Sequence, residues 1–500
     1  MSEVPNGVKM DSVSRKIRPS ATMMITRDGS NGVEVLLGRR AESMPAFPGY
    51  WAFPGGGLSR VDKLAVEELE QLDGPNAAAF AAIMREIVEE LGFACVDGKI
   101  IVVDDAARSL VVADKANWLP QVKQGNIPCD TSGIRHISSR TTPPFGPVLF
   151  ENTFLHIHGG SSQEVPQPSI VGQTEFVEFT WQSADQLLLK WKAHEMKIAP
   201  PVVTLMMQLK RTLAQFSGDM ESSAEEMEKR QIGRRSILFA YGVEVVPVKT
   251  ATLPPADHTN SYLIGDPEGD FVLVDPAARM REGMEDLAVA VERHNGNLLA
   301  IVFTHPHSDH LGDFDLLREA FDVPIWGSQQ TSEQIPCQRI LHDGEMLQLG
   351  EQKWQVLQTP GHHPGHICLL GDAGLVAGDM VAGIGTILIP PSEGDMDQYL
   401  QQLQRLIDLK PHLIFPSHGP VIPLPEKKLK YYLQHRAARH QRVLDAVAAG
   451  NNKLAQISIV AYQDSPDAHP LLAQDQTLSH LLSHQRDGKV VEEDHNWKIV

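Results

Sequence analysis

The segment Thr304–Asp313 reads THPHSDHLGD and concentrates metal-binding side chains. Imidazole is the commonest side-chain metal ligand. His305 and His307 alternate, so on an extended segment they point to one side. Asp309 and His310 come after the chain turns, so one loop can serve two neighbouring metals. Three further pieces carry the same residue types: TPGHHPGH at Thr359–His366, AGDM at Ala377–Met380 and PSHGP at Pro416–Pro420. They add His362, His363, His366, Asp379 and His418. Of the 21 histidines, seven (His305, His307, His310, His342, His362, His363 and His366) crowd this stretch, which drift does not explain. His342 and His412 read as ordinary loop residues.

Each piece follows an apolar run (LLAIVF, WQVLQ, GLVA and HLIF) and breaks at Gly or Pro. A strand ending in a ligand-rich loop holds ligands rigidly yet leaves them open to solvent. Asp275, in FVLVDPA, also sits at a strand end. Met284, Leu287, Ala288 and Val291 then recur at helical spacing. Together these pieces resemble the ligand set of the metallo-β-lactamase superfamily across about Ser236–Pro425. The resemblance implies an αββα sandwich with a two-metal site at one sheet edge. His305, His307 and His362 would hold the first metal, Asp309, His310 and His418 the second, and Asp379 would bridge them. Asp275 and His366 would support the ligands from behind. Nitrogen and carboxylate donors without thiolate suit two Zn²⁺, with iron or manganese as alternatives. Two metals a few Å apart activate a water near pH 7 and polarise the bond to be cleaved. Asp309 would also orient that water and carry its proton.

A second constellation lies upstream. AFPGGG at Ala52–Gly57 precedes REIVEELGF at Arg85–Phe93. On a helix Glu86, Glu89 and Glu90 share one side, and Ile83, Ile87 and Leu91 form a separate apolar stripe. Three crowded carboxylates repel unless they hold Mg²⁺ or Mn²⁺. Arg85 can orient one of them. These motifs resemble the two halves of a Nudix box. The segment LLGRRAESMPAFPGYWAFPGGG resembles the coenzyme A diphosphatase-like branch. That resemblance implies hydrolysis of a diphosphate linked to another group, with Glu89 and Arg85 in the catalytic machinery. Two departures stand out: an insertion at roughly Leu58–Gln71, and Ala77 where the box has its first Glu. They keep open a second reading, a module that only binds a nucleotide-containing ligand.

The chain has 500 residues, 44 Lys+Arg and 63 Asp+Glu, for a net charge of −19. That length allows about three domains. The hydrophobic content of 42% places it in the globular range and excludes a disordered or fibrous chain, and the two resemblances imply a mixed α/β (α+β) fold. The acidic balance argues against a general DNA-coating protein. Cys95, Cys129, Cys337 and Cys368 lie far apart, which argues against a disulfide scaffold. With no apolar leader and no membrane-spanning run, the expected setting is cytoplasmic. The expected organisation is a Nudix-like α/β/α sandwich at 17–214, a polar linker or solvated helix at 215–235, the metallo-β-lactamase domain at 236–425 and a winged-helix-like tail at 426–500.

The tail runs from YYLQHRAARHQRVLDAV to LLSHQRDGKVVEEDHNWKIV, helices ending in a hairpin. With the preceding domain it resembles the beta-lactamase-like protein 2 family, whose best-known members are single-strand endoribonucleases. Bacterial relatives are often labelled hydroxyacylglutathione hydrolases, and fungal ones include acyl-carrier-protein thioesterases. Lys427, Lys428, Lys430, Arg436, Arg439 and Arg442 form an acid-free basic stretch, readable as a strip for RNA or coenzyme A phosphates or as a solvated helix face. The first expectation is hydrolysis of a small acyl thioester. RNA cleavage is the second, and a regulatory Nudix half the third. Oligomeric state is left open.

Overall fold

The structure, a computed structural model, describes residues 16–145, 148–172, 175–229 and 236–500. It divides into two compact units, built chiefly on Arg15–Arg234 and on Gly242–Val500. Both are mixed α+β.

In the N-terminal unit the strand Ile17–Gly29 is central. It pairs parallel with Leu149–Ser161 and antiparallel with Gly32–Arg40 and Gly55–Gly57. The helix Ala77–Leu91 begins AAAFAA, whose small side chains allow close packing. Ile83, Ile87 and Leu91 are buried in one core with Met23, Ile25 and Leu155. Gly92 ends the helix at φ 77°, a left-handed cap that favours glycine. The insertion is not a loose loop. Its Arg60–Glu68 is a helix, and Asp62 closes a capping box with Ser59.

The expected linker needs correction. Pro200–Gln215 and Met220–Lys229 are helices packed against one another. Met220, Ala224 and Met227, spaced three and four apart, are all buried, so the second helix belongs to the N-terminal unit. Residues 230–235 lie outside the described residues.

In the C-terminal unit one sheet runs, in order, Val243–Lys249, His258–Gly265, Asp270–Val274, Asn297–Val302, Ile325–Gly327 and Arg339–Ile340. A second runs Met346–Leu349, Gln352–Gln358, Ile367–Gly371, Gly374–Gly378 and Ile414–Pro416. Phe271 and Leu273 pack toward helix Arg281–Glu292 through Met284 and Leu287. Val272 and Val274, on the opposite face of the same strand, are equally buried. A strand buried on both faces reads as a near-continuous apolar run, which FVLV is. The second sheet is covered by Met396–Asp408 through Tyr399, Leu403 and Leu406.

The tail comprises helices Pro425–Ala448, Leu454–Ala461 and Pro470–Arg486 and the hairpin Val490–Glu493/Asn496–Ile499. Its first helix crosses the expected boundary at 425. Leu429 and Tyr432 belong to the core of the second sheet, whereas Val443 and Val447 join a smaller core with Leu481 and Trp497.

Among the described residues, no helix is long and apolar enough to cross a membrane.

Candidate functional site

The C-terminal site forms where several strands end. His305 follows Asn297–Val302, and His307, Asp309 and His310 lie on or beside the short helix Ser308–Leu311. His362 follows Gln352–Gln358, Asp379 follows Gly374–Gly378, and His418 follows Ile414–Pro416. All seven are buried. Donor atoms of His305, His307 and His362 lie within 4.8 Å of one another, and so do those of Asp309, His310 and His418. Asp379 lies between the two groups. One oxygen is 3.4 Å from His418 Nε2 and 3.6 Å from His310 Nε2, and the other is 3.7 Å from His362 Nε2.

The imidazoles are oriented from behind. His362 Nδ1 donates to the Leu388 carbonyl at 2.7 Å, and His418 Nδ1 to the His258 carbonyl at 3.1 Å. Asp275 accepts from Thr304 N at 2.8 Å, Thr304 Oγ1 at 2.7 Å and His310 Nδ1 at 2.9 Å. Each bond leaves the ring's Nε2 toward the site, the pattern that fixes metal-ligating histidines. Asp275 sits at φ 45°, a left-handed conformation held by these contacts. His366 is a prop: its Nε2 accepts from Asp379 N at 2.9 Å and its Nδ1 meets Thr359 Oγ1 at 2.7 Å. A Cβ at Gly378 would collide with that ring.

This donor set fits divalent metals. His305 Nε2, His310 Nε2, Asp309 Oδ2 and Asp379 Oδ1 are buried without hydrogen-bond partners among the described residues. Buried polar atoms are rarely left so. Burial holds the His305 imidazole well below its ordinary pKa range, in the neutral form that ligates. Burial also opposes protonation of His310, yet Asp379, Asp309 and Asp275 together push it well above that range. Such crowded negative charge favours a cation.

Sequence reasoning missed Glu393. Its carboxylate is 2.8 Å from His307 Nε2 and 3.8 Å from His363 Nε2. It lies 86 positions from His307, in a loop without a motif, and only the fold brings it there.

The expected basic strip is not one surface. Arg436 and Arg439 are 2% and 3% exposed. Arg436 donates to Gln476 and to the Ile387 carbonyl, and Arg439 to Asp464 and to the Ala461 carbonyl. Arg442 pairs with Asp464, Lys430 with Glu426, and half-buried Lys428 reaches the Gly383 carbonyl. Lys427 is exposed. A helix turns about 100° per residue, so this run winds from surface to core.

In the N-terminal unit, the glycine strand and the carboxylate helix do meet. Gly56 packs against Glu86 so closely that a Cβ would collide with it. Gly55 N donates to Glu90 Oε2 at 2.9 Å, while Glu90 Oε1 is buried without a partner among the described residues. Arg85 donates to Glu86 at 2.9 Å and Glu89 at 3.0 Å, and grips Asp62 with two bonds of 2.8 and 3.0 Å. Burial raises Glu86 to about 7 against the pull of Arg85, with Glu89 and Glu175 adding to the rise. Burial and the Glu86 and Glu175 charges likewise raise Glu90. Asp62 and Glu175 had no sequence signal.

Comparison with known proteins bears chiefly on the C-terminal unit. The model of the metallo-beta-lactamase superfamily matches residues 254–336 and 338–418. A hydroxyacylglutathione hydrolase of Bdellovibrio bacteriovorus is 32% identical over 171 residues, covering 32% of this chain and 67% of that protein. A beta-lactamase-like protein 2 homolog of Drosophila melanogaster is 27% identical over 248 residues, covering 46% of this chain and 84% of that protein. A NUDIX hydrolase structure from Alicyclobacillus acidocaldarius aligns at 23% identity and a TM-score of 0.37, covering 44% of this chain and 100% of that one. The protein is a metal-dependent hydrolase. The chain belongs to the metallo-beta-lactamase superfamily.

Proposed function

We propose that the C-terminal unit is a binuclear hydrolase of small acyl thioesters. His305, His307 and His362 would hold one Zn²⁺, Asp309, His310 and His418 the other, and Asp379 both. When bound, the pair supplies Lewis acidity and an activated water near neutral pH. Asp309 Oδ2, buried without a hydrogen-bond partner among the described residues and 3.5 Å from His418 Nε2, is the atom placed to take a proton. Asp275 and His366 keep the ligands in register.

The observation that carries the substrate class is the pocket over these residues. His362, Asp379 and His418 form its floor, and Pro254, Ile384 and Ile387 are among its walls. Among the described residues, no Lys or Arg lines it. Its mixed lining of apolar and uncharged polar side chains beside the ligands can receive a small acyl compound, whereas a polynucleotide needs cations along its backbone. The dispersal of the basic run removes one of the two supports for RNA, the other being the likeness to beta-lactamase-like protein 2. The name of the Bdellovibrio relative supports a glutathione thioester.

The test is a panel of acyl-glutathione, acyl-coenzyme A and single-stranded RNA. The expected result is thioester cleavage that disappears after chelation and returns with Zn²⁺. RNA cleavage without thioester cleavage would overturn the substrate class. Full activity after chelation would overturn the metal mechanism.

For the N-terminal unit we propose a Nudix-type site for a nucleotide diphosphate-linked compound, with Mg²⁺ or Mn²⁺ held by Glu86, Glu89 and Glu90. The unpaired Glu90 Oε1 supports it. Glu89→Gln is expected to lower Mg²⁺-dependent diphosphate hydrolysis by about 10²-fold or more, as loss of a general base does. Binding without turnover in the wild type would instead make the unit a nucleotide-binding regulator.

A further inference from the structure

A third group of imidazoles lies between the helices Pro425–Ala448 and Pro470–Arg486. His480 and His484 are one turn apart on the second helix, and His440 faces them from the first. His480 is fully buried and His484 is 1% exposed. His484 Nε2 lies 2.8 Å from the His440 carbonyl oxygen. A carbonyl only accepts, so the His484 proton sits on Nε2 and its lone pair on Nδ1. That Nδ1 is buried and has no hydrogen-bond partner among the described residues. His440 and His480 share a hydrogen bond between Nδ1 atoms 3.1 Å apart, and His480 Nε2 is also buried without a partner.

Asp487 ends the second helix and adds a carboxylate. Donor atoms of His440, His484 and Asp487 lie within 4.8 Å of one another. One Asp487 oxygen also accepts from Lys489 Nζ at 2.8 Å. The His440 and His484 rings are stacked, with centroids 3.6 Å apart, so joint ligation requires a ring rotation. Packing alone does not account for this choice of residues. A helix interface is filled at least cost by aliphatic side chains, and unpaired buried polar atoms are rare.

We propose that His440, His484 and Asp487 form a separate site for a borderline transition-metal cation such as Zn²⁺, with the His440 ring turned out of its stack and the His484 ring held by its bond to the His440 carbonyl. Two imidazoles and a carboxylate suit that class, and a hydrogen bond on the far nitrogen is the usual support of such ligands. The site has a structural consequence. The same helix holds Ile389 through Gln476 and Ser479. Ile389 adjoins Leu388, whose carbonyl orients His362. A cation here would tie together the two tail helices, the second of which also holds the loop that positions a residue of the candidate hydrolase centre.

The full-length protein is stripped with a chelator, reloaded with micromolar Zn²⁺, dialysed and assayed for bound metal by mass spectrometry. Asp487→Ala, which alters an exposed side chain, and His440→Ala are each expected to hold one zinc fewer than the wild type. Both are also expected to lose part of the zinc-dependent rise in thermal midpoint. Wild-type stoichiometry in both variants would overturn the site, and so would a difference seen only at millimolar zinc. If His440→Ala fails to fold by circular dichroism, Asp487→Ala decides alone.

Discussion

Asp379→Asn is expected to lower hydrolysis by the C-terminal unit about a thousandfold, equivalent to about 4 kcal/mol of transition-state stabilisation. It is also expected to cost at least one bound metal. Asparagine preserves the volume of the side chain, so no cavity opens and the fold should persist. What changes is charge and donor capacity. Asp379 offers oxygens to both histidine groups, at 3.4, 3.6 and 3.7 Å from three imidazole nitrogens. Asparagine keeps one oxygen and turns an NH₂ toward nitrogens that need their lone pairs for metal. No neighbouring carboxylate substitutes easily: Asp275 is engaged by Thr304 and His310, and Asp309 belongs to one group only. The measurements are kcat/KM on the proposed thioester substrate, metal content and circular dichroism. A folded variant that holds both metals and keeps activity within tenfold of the wild type would show that Asp379 does not bridge the groups.

The candidate ligands that the fold gathers into one place were legible because their chemistry is local. Each sits where an apolar run breaks, and strand ends project loops from a rigid sheet. Asp275 was legible for the same reason. The failures share one physical cause: a side chain's partner is chosen by tertiary packing. The basic run near Lys427 looked like one surface, but helical rotation carries Arg436 and Arg439 into the interior, where Gln476, Asp464 and backbone carbonyls receive them. The polar stretch near Met220 looked like a linker, yet Met220, Ala224 and Met227 already had helical spacing, a signal masked by high average charge. Glu393, Asp62 and Glu175 reach their sites from distant segments, and no local pattern marks them.

The buried ion pair between Asp62 and Arg85 shows how large such an illegible contact can be. Asp62→Ala is expected to destabilise the N-terminal unit by about 3–5 kcal/mol, the range for removing one partner of a buried pair. The two side chains are 0% and 2% exposed. Glu86 and Glu89 remain near the stranded guanidinium, which places the loss from charge at the lower end of that range. Asp62 also accepts from Ser59 N at 2.7 Å and Ser59 Oγ at 2.8 Å, so the cap of Arg60–Glu68 fails too, adding about 1 kcal/mol. The readout is amide hydrogen exchange in Ala77–Leu91, the helix that carries Arg85. A loss below about 1 kcal/mol would mean that water or Glu86 and Glu89 satisfy the charge unaided. The control is the double change Asp62→Leu with Arg85→Met, which removes both charges and keeps bulk. It should recover most of the stability, because well-packed apolar residues replace buried ion pairs at little cost. It should not recover the proposed diphosphate hydrolysis, because Arg85 also holds Glu86 and Glu89. That split between stability and activity separates the fold-holding role of the inserted helix from the chemistry of the carboxylates it supports.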